Sequence, residues 1–131
     1  MSVTLNEASR ALIDGNNFAS IATVNPDGSP QTSVVWVTRD GDDLLFSTVV
    51  GRRKELNLRR DPRVSVTIFD QEQPYSYIEV RGSVTLDETG GRELIDALSH
   101  KYRGEGYPVE AEGTVRVVIR LTPQKVTGNS A

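Results

Sequence analysis

The sequence has no cysteine, and it has only one histidine, one tryptophan and one methionine among 131 residues. The absence of cysteine excludes a disulfide framework, a thiol nucleophile and metal sites built on thiolates. A multi-histidine metal centre and a histidine-based catalytic triad have no support, because His100 is the single histidine. Its position after Leu98 predicts a role at the surface or end of a helix. Neither a Walker-type phosphate loop nor a GxGxxG motif occurs.

Long apolar runs are also missing. No segment approaches the ~20 apolar residues of a membrane span, and residues 1–6 lack the basic start of a secretion signal. Lys and Arg number 15 and Asp and Glu number 18, so the net charge is −3, which disfavours a general nucleic-acid binder. We therefore expect one domain over residues 1–131 of a soluble cytoplasmic protein, without a membrane or nucleic-acid partner.

β-Branched residues are abundant, with 16 Val, 6 Ile and 11 Thr, and they favour strands. Alternating polarity and turn residues predict six strands, at 18–24, 30–39, 43–48, 63–70, 75–86 and 114–123. Turns at Asn25–Gly28 and Asp40–Gly41 join the first three strands into a meander. The sequence thus predicts a mainly β fold, a small six-stranded antiparallel barrel with helices packed at its ends.

Three helices are predicted between these strands. Apolar residues at helical spacing indicate a short helix over residues 5–13, and good helix formers indicate another over 51–60. The longest is marked by Leu94, Leu98 and Tyr102 and ends at Gly104, a typical C-terminal stop. The following loop, 104–113, contains Tyr107-Pro108 and three acidic residues, so we expect it to be exposed and mobile, a candidate lid.

A basic cluster is the densest unusual feature of this acidic chain, with six of the 15 basic residues within a dozen positions. The cluster consists of Arg52, Arg53, Lys54, Arg59, Arg60 and Arg63. Its first three members follow a strand ending in Phe46-Ser47-Thr48 and begin a helix, where free N–H groups and the helix dipole attract anions. This placement predicts a phosphate site.

Two alternatives for the basic cluster remain open. It is explained equally well as a solvated helix whose arginines pair locally with Glu55 and Asp61. A nucleic-acid surface, with phosphates on the arginines and bases on nearby aromatic rings, is disfavoured by the net charge. Flat side chains around Trp36, Tyr75 and Tyr77 would suit a ring-bearing cofactor, but they also fit ordinary core packing.

A second pair of charges lies on one strand. Glu79 and Arg81 are two residues apart and share a face, so they could act together in a site. A structural salt bridge is the simpler interpretation.

The order of motifs along the chain resembles a known family. The relevant segments are FASIATVNPDGSPQTSVVWV, DLLFSTVVGRRKELNLRRDPRVSV, YSYIEVRGSVTL and VVIRLTPQKVTG. Together they resemble the pyridoxamine 5′-phosphate oxidase-like flavin and deazaflavin oxidoreductases, especially the small F420-dependent branch. The resemblance implies a split β-barrel of the FMN-binding type, forming a homodimer with two cofactor sites at the subunit interface.

The resemblance also implies which residues bind the cofactor. Arg52, Arg53 and Lys54 match the family's basic phosphate-binding segment, with Ser47 and Thr48 supplying hydroxyl and backbone groups. The strand carrying Thr32, Ser33, Val34 and Val35 matches the one that runs along the cofactor ring. Tyr77 matches a position that reaches the site from the partner subunit, and Trp36 is a looser match.

Two departures from the oxidase members bear on activity. This chain has Thr32 where those members have arginine, and it ends soon after the last strand, without their substrate-binding extension. The function implied is hydride transfer between coenzyme F420 and a small organic molecule, with no assigned catalytic residue. An FMN-dependent oxidase or reductase, or a non-catalytic flavin or F420 carrier or sensor, is the alternative.

Overall fold

A computed structural model describes residues 2–131, which form seven strands and three helices. The strands are β1 (Ala19–Val24), β2 (Pro30–Val35), β3 (Thr38–Asp40), β4 (Asp43–Val49), β5 (Arg63–Phe69), β6 (Tyr77–Asp87) and β7 (Arg116–Thr127). The helices are α1 (Glu7–Asp14), α2 (Arg53–Arg60) and α3 (Gly91–Arg103). None of the helices within 2–131 has the length and apolar character to cross a bilayer.

All strand pairs are antiparallel, and the strands form one sheet in the order β2-β1-β5-β6-β7-β4-β3. Residues from distant strands, such as Ile21 of β1 and Phe46 of β4, are fully buried in the same hydrophobic cluster. The sheet must therefore curl around one core, since a flat sheet would hold β1 and β4 apart. The mainly β, antiparallel barrel class predicted from the sequence is confirmed.

The predicted number of strands is wrong: there are seven, not six. The segment expected as one strand over 30–39 is divided between β2, which pairs with β1, and β3, which pairs with β4. These two strands occupy opposite edges of the sheet, so the chain must cross between them at Trp36-Val37. Val37 is fully buried at this crossing, which explains why the apolar alternation continues through it.

Element boundaries differ from the predicted ones where local hydrogen bonds cap or turn the backbone. α1 begins at Glu7 rather than residue 5, because the Asn6 Oδ1 accepts a hydrogen bond of 2.8 Å from the Ser9 N–H. β6 begins at Tyr77 rather than 75, because the Ser76 N–H donates to the Gln73 carbonyl in a turn. α3 ends at Gly104 as predicted, with the glycine at φ +76°.

The two outer halves of the sheet differ in their cover. α3 packs on β4 and β7, where its Leu94 lines one depression together with Leu45 and Val118. The outer face of β2, β1 and β5 carries small side chains in register, including a row of Thr32, Ala22 and Ser65 that ends at Arg81 of β6. The three small side chains remain partly or fully exposed. One half of the barrel thus presents an uncovered surface beside the covered half.

Candidate functional site

A pocket of about 240 Å³ opens where the β2 edge, the end of β4, the start of α2 and the side of α3 meet. Its polar lining is cationic and its remaining lining is aliphatic and aromatic. The lining residues are Phe18, Val34, Val35, Trp36, Ser47, Arg52, Lys54, Ile95, Leu98, Tyr107 and Arg116. No carboxylate belongs to this lining, so the pocket combines an anion-attracting end with flat apolar walls.

Lys54 is the most informative residue of the pocket. It is only 9% exposed, and its ammonium donates a hydrogen bond of 3.0 Å to the Ser33 hydroxyl. Across residues 2–131, no carboxylate oxygen lies within 4.0 Å of it. Burial, and next the nearby Arg52 charge, lower the pKa of Lys54 to about 8. A buried cation without a counter-ion is costly, and such groups concentrate at ligand sites.

The start of α2 adds backbone donors to this end of the pocket. Arg52 is the N-terminal cap residue and provides no side-chain hydrogen bond to the first turn. The neighbouring Glu55 carboxylate is engaged elsewhere, accepting from the Gly51 N–H at 2.8 Å and from Arg59 Nε at 2.5 Å. These two contacts lower the pKa of Glu55, so its charge is fixed away from Lys54. The helix N-terminus beside Lys54 therefore favours an anion.

The unpaired edge of β2 forms another wall of the pocket. β2 is the first strand of the sheet and pairs only with β1, so its outer edge carries free N–H and C=O groups. Val34 is 72% exposed on this strand, an unusual position for a valine. An edge with alternating donors and acceptors next to an apolar surface suits the polar rim of a flat heterocycle.

A stack of three aromatic rings supplies two of the pocket's lining residues, Phe18 and Trp36. The Tyr102 ring lies between Phe18, at a centroid distance of 5.6 Å, and Trp36, at 5.4 Å. The Lys101 ammonium lies 4.9 Å from the Tyr102 ring centroid and donates to the Ile13 and Val37 carbonyls. Burial lowers the pKa of Lys101 to about 8 and raises the pKa of Tyr102. This anchoring fixes the position of the pocket's aromatic wall.

Tyr102→Phe is expected to loosen that wall. The Tyr102 hydroxyl donates to the Asn17 carbonyl at 2.5 Å and accepts from the Val37 N–H at 3.2 Å. Its removal leaves both backbone groups unsatisfied at a cost of about 1 to 3 kcal/mol. Thermal unfolding should show this loss, and the fluorescence of Trp36, the single tryptophan, should shift to the red. Unchanged values for both would contradict the anchoring role.

The loop 104–113 is not the free lid expected from its composition. The Tyr107 N–H donates to Asp96 at 2.9 Å, and Arg92 donates to the Tyr107 and Pro108 carbonyls. The Tyr107 ring lies between two guanidinium groups, with Arg116 at 5.0 Å and Arg92 at 5.6 Å from its centroid. These contacts hold the loop against the edge of the pocket.

Sequence reasoning missed Arg116, Tyr107 and Phe18 as pocket residues. The alternation of the last strand, with Val117, Ile119 and Leu121 on its apolar side, predicts that Arg116 points outward, yet it is only 8% exposed. Its NH1 lies 3.3 Å from the Ser47 hydroxyl. Strand alternation could not reveal this burial, because the cover comes from α3 and the loop, which are remote in the sequence.

The residues expected to bind a cofactor divide into two groups. Five of them line the pocket, namely Val34, Val35, Ser47, Arg52 and Lys54, and Ser33 contacts Lys54. Thr32, Thr48, Arg53 and Tyr77 do not line it. The Thr48 hydroxyl is buried on the core side without a partner, because successive residues of β4 face opposite sides and Ser47 takes the pocket side.

The remaining arginines of the basic cluster make local contacts. Arg59 pairs with Glu55, Arg63 pairs with Asp61 at 2.7 Å, and Arg60 donates to the Val24 carbonyl. The solvated-helix interpretation therefore holds for the second half of the cluster. Only its beginning, at Arg52 and Lys54, faces the pocket.

Two structural interpretations from the sequence are confirmed. Glu79 and Arg81 form a salt bridge of 3.1 Å, and Ser65 and Thr127 also donate to Glu79. His100 is exposed in the last turn of α3, 3.6 Å from Asp96. Both features lie outside the pocket lining.

The fold is a curled antiparallel sheet with a cationic pocket at an unpaired strand edge, an arrangement suited to an anionic, ring-bearing ligand. The chain matches the family model for pyridoxamine 5′-phosphate oxidase over residues 5–130. It therefore belongs to the pyridoxamine 5′-phosphate oxidase family, a family of flavin-type oxidoreductases.

Solved structures agree with this assignment. An F420 reductase is 29% identical, with a TM-score of 0.82, covering 94% of this chain and 98% of its own. A Listeria innocua protein provisionally assigned as a pyridoxamine 5′-phosphate oxidase is 22% identical, with a TM-score of 0.72 and coverage of 92% and 94%. General Stress Protein 26 from Bacillus anthracis is 20% identical, with a TM-score of 0.71 and coverage of 92% and 89%. The last two share the fold.

Proposed function

We propose that this protein is an oxidoreductase that binds coenzyme F420 and transfers a hydride between it and a small organic molecule. The observation that carries the proposal is Lys54, a buried ammonium with only a hydroxyl for a partner. The similarity to an F420 reductase over almost the whole chain favours the deazaflavin over FMN.

The residues present fit a phosphate-bearing flavin or deazaflavin. Lys54, Arg52 and the first N–H groups of α2 would hold the phosphate, and the Ser47 hydroxyl would donate to it. The β2 edge would bind the polar rim of the ring, and Val34, Val35 and the Trp36 ring would contact its apolar surface. The buried Thr48 hydroxyl and exposed Arg53 have no part in this arrangement.

The bound deazaflavin ring would supply or accept the hydride, and the protein would orient it and exclude water. The Phe18–Tyr102–Trp36 stack gives the ring a rigid wall, because Tyr102 is hydrogen-bonded on both sides of its hydroxyl. The hydroxyl groups of Tyr107 and Ser47 lie at the pocket, and Arg116 donates to both. No side chain here needs to form a covalent bond with the substrate.

A side-by-side fluorescence titration with coenzyme F420 and FMN tests the proposal. We expect both to bind through the phosphate, with coenzyme F420 the tighter and Lys54→Ala weakening both. Turnover of an acceptor with reduced F420 separates an enzyme from a carrier or sensor. If neither compound binds below high micromolar concentration, the proposal fails, and tighter binding of FMN with FMN-dependent turnover would reassign the cofactor.

Phosphate affinity should fall as the pH rises through about 8. The pKa of Lys54 is lowered to about 8 in the ligand-free protein, so its charge is lost there, well below the usual 10.5 of a lysine. A bound phosphate favours the protonated form, and affinity is therefore highest below pH 8. Titration of inorganic phosphate from pH 8.5 to 10 should show this decline, and Lys54→Arg should flatten it because arginine stays charged.

We also propose that the protein is a homodimer that completes the pocket with residues of a second copy. The single-chain volume of about 240 Å³ is below the roughly 300 to 1,000 Å³ of ordinary cofactor sites. The neighbouring outer face of β2, β1 and β5 carries small side chains around Ala22, a surface on which another sheet can pack. Tyr77, at the start of β6, is exposed on that side and available to a partner's pocket.

Ala22→Arg is expected to convert the dimer into monomers, because it places a long charged side chain in the middle of the small-residue face. The matched control is Ala97→Arg, at an exposed position of α3. Light scattering should give half the mass for Ala22→Arg and the unchanged dimer mass for Ala97→Arg. A monomeric wild-type protein would contradict the proposal.

A further inference from the structure

Arg116 forms a buried ion pair with Glu110, a carboxylate that does not line the pocket. Arg116 Nε donates to Glu110 Oε1 at 2.6 Å, its NH2 donates to the Tyr107 hydroxyl at 3.1 Å, and its NH1 lies 3.3 Å from the Ser47 hydroxyl. The side chains of Arg116 and Glu110 are 7% and 17% exposed. This is the most buried ion pair among the residues that the structure describes.

The guanidinium of Arg116 still has donors to offer. It carries five N–H groups, and the structure gives acceptors to three of them within residues 2–131. One N–H on each terminal nitrogen has none. Arg116 lines the pocket beside Ser47, and it also lines a second depression together with Glu110, which does not line the pocket. The guanidinium is therefore accessible to a ligand in the pocket while it is paired with Glu110.

Glu110 does not depend on Arg116 alone. Its other oxygen accepts from Arg92 NH1 at 3.2 Å, on the exposed side of α3. If Arg116 turned toward the pocket, Glu110 would keep a counter-ion. Arg116 can therefore leave Glu110 for an anion in the pocket at a lower cost, because Glu110 would still be paired with Arg92.

We propose that Arg116 is an anion-binding residue of the pocket and that Glu110 is its internal counter-ion, which competes with the phosphate of the ligand for the guanidinium. The inference rests on the proposed phosphate site at Lys54. Binding of the phosphate shifts Arg116 from Glu110 toward the anion and weakens the hold of the loop 104–113 at Tyr107. The ligand's affinity is thus set partly by a carboxylate outside the pocket lining.

A purely structural role for the Arg116–Glu110 pair predicts the opposite change in phosphate affinity when Glu110 is neutralised. If Glu110 only anchors Arg116 in a binding conformation, its neutralisation loosens the cation and weakens phosphate binding. If Glu110 competes, its neutralisation frees the cation and tightens binding. The direction of the change in affinity therefore decides between the two roles.

The test is a calorimetric titration of the full-length protein with inorganic phosphate at pH 7. Glu110→Gln is expected to tighten binding by about five- to tenfold, since a charge-assisted hydrogen bond no longer has to be exchanged. The matched control is Glu105→Gln, which removes the same charge from the same loop but pairs with Arg103 at 2.7 Å. It should change affinity less than about twofold, as expected for an exposed pair.

A double-mutant cycle assigns the effect to Arg116. In an Arg116→Met background, where Arg92 still pairs Glu110, the gain from Glu110→Gln should disappear. Trp36 fluorescence provides a second readout, because its ring lies edge-on to Tyr107 at 6.4 Å. Phosphate should change this emission in the wild-type protein and not in Arg116→Met.

The outcomes separate this inference from the proposed function. Unchanged or weaker phosphate binding by Glu110→Gln overturns the inference, and the proposed function survives if flavin binding still depends on Lys54. Tighter phosphate binding by Glu110→Gln, with no binding of coenzyme F420 or FMN, supports the inference and overturns the function. Failure of the wild-type protein and every variant to bind phosphate overturns the inference, and it overturns the function as well if coenzyme F420 and FMN also fail to bind.

Discussion

Lys54→Met is expected to weaken phosphate binding by about 1.5 to 3 kcal/mol, roughly 10- to 150-fold, while stabilising the ligand-free protein. The loss arises because the ammonium is a buried cation of the pocket and, unlike Arg116, has no carboxylate partner among residues 2–131. The gain arises because that ammonium is desolvated and has only the Ser33 hydroxyl as a partner. Methionine fills similar space without a charge to desolvate, so the free energy of unfolding should rise by about 1 to 2 kcal/mol at pH 7.

The destabilising effect of the Lys54 charge should depend on pH. The pKa of Lys54 is about 8 when folded and near 10.5 when unfolded, so the unfolded chain binds more protons between these values. The free energy of unfolding therefore rises with pH from about 8 to 10.5, because the folded protein no longer has to bury a charged ammonium. In Lys54→Met this contribution to the rise should be absent, which thermal unfolding at pH 7 and pH 10 can measure.

Arg53→Met is the matched control for Lys54→Met. It removes a positive charge from the adjacent residue of α2, but Arg53 is exposed and does not line the pocket. Its phosphate affinity should stay within about threefold of the wild-type value, the scale of an exposed charge effect. Equal losses in the two variants would show that the basic cluster acts by diffuse charge rather than through a defined site.

Gly91→Ala is expected to destabilise the protein by about 3 kcal/mol and lower its melting temperature by roughly 10 °C. A Cβ at Gly91 would lie 2.3 Å from the Arg116 carbonyl oxygen and 2.6 Å from its carbon. These are backbone atoms of β7, so neither can move aside without shifting the strand or the helix. In an unhindered helix, Gly→Ala would stabilise the protein by about 1 kcal/mol through helix propensity. The sign of the measured change in stability therefore shows whether the steric clash or the helix propensity dominates.

The damage from Gly91→Ala should extend to the pocket. α3 supplies Ile95 and Leu98 to the lining, and Arg116 is the residue against which Gly91 packs. Phosphate binding is therefore expected to weaken along with stability. Glu93→Ala, at an exposed position two residues further along α3, should leave melting temperature and phosphate binding nearly unchanged. A stabilised Gly91→Ala would contradict the close contact between α3 and β7.

The alternation of apolar and polar residues was enough to predict the antiparallel sheet and most of its strands, because each strand has one face in the core. It failed at Trp36-Val37, where the apolar pattern passes through a crossing between opposite edges of the sheet. Val37 is buried there with its N–H bonded to the Tyr102 hydroxyl, a partner 65 residues away. A local pattern cannot distinguish burial inside a strand from burial at a crossing.

The cationic end of the pocket was predictable in part because its residues are close together in the sequence. A strand end, a helix start and consecutive cations occur together in Ser47-to-Lys54, so the sequence alone located the basic end of the pocket. Which cations face the pocket depended on the orientation of α2, which buries Lys54 and leaves Arg53 in solvent. The roles of Thr48 and Tyr77, taken from family resemblance, find no place in the pocket of a single chain.

The sequence by itself determined that this is an antiparallel β protein with its positive charge concentrated at one strand-to-helix junction, because period and composition are properties of neighbouring residues. Only the tertiary structure decided what completes that junction. Tyr102, Tyr107 and Arg116 come from α3, the loop after it and β7, about 50 to 60 residues beyond Lys54. They meet the basic residues because the sheet curls and α3 packs against β4 and β7, a consequence of burying the core that no local pattern encodes.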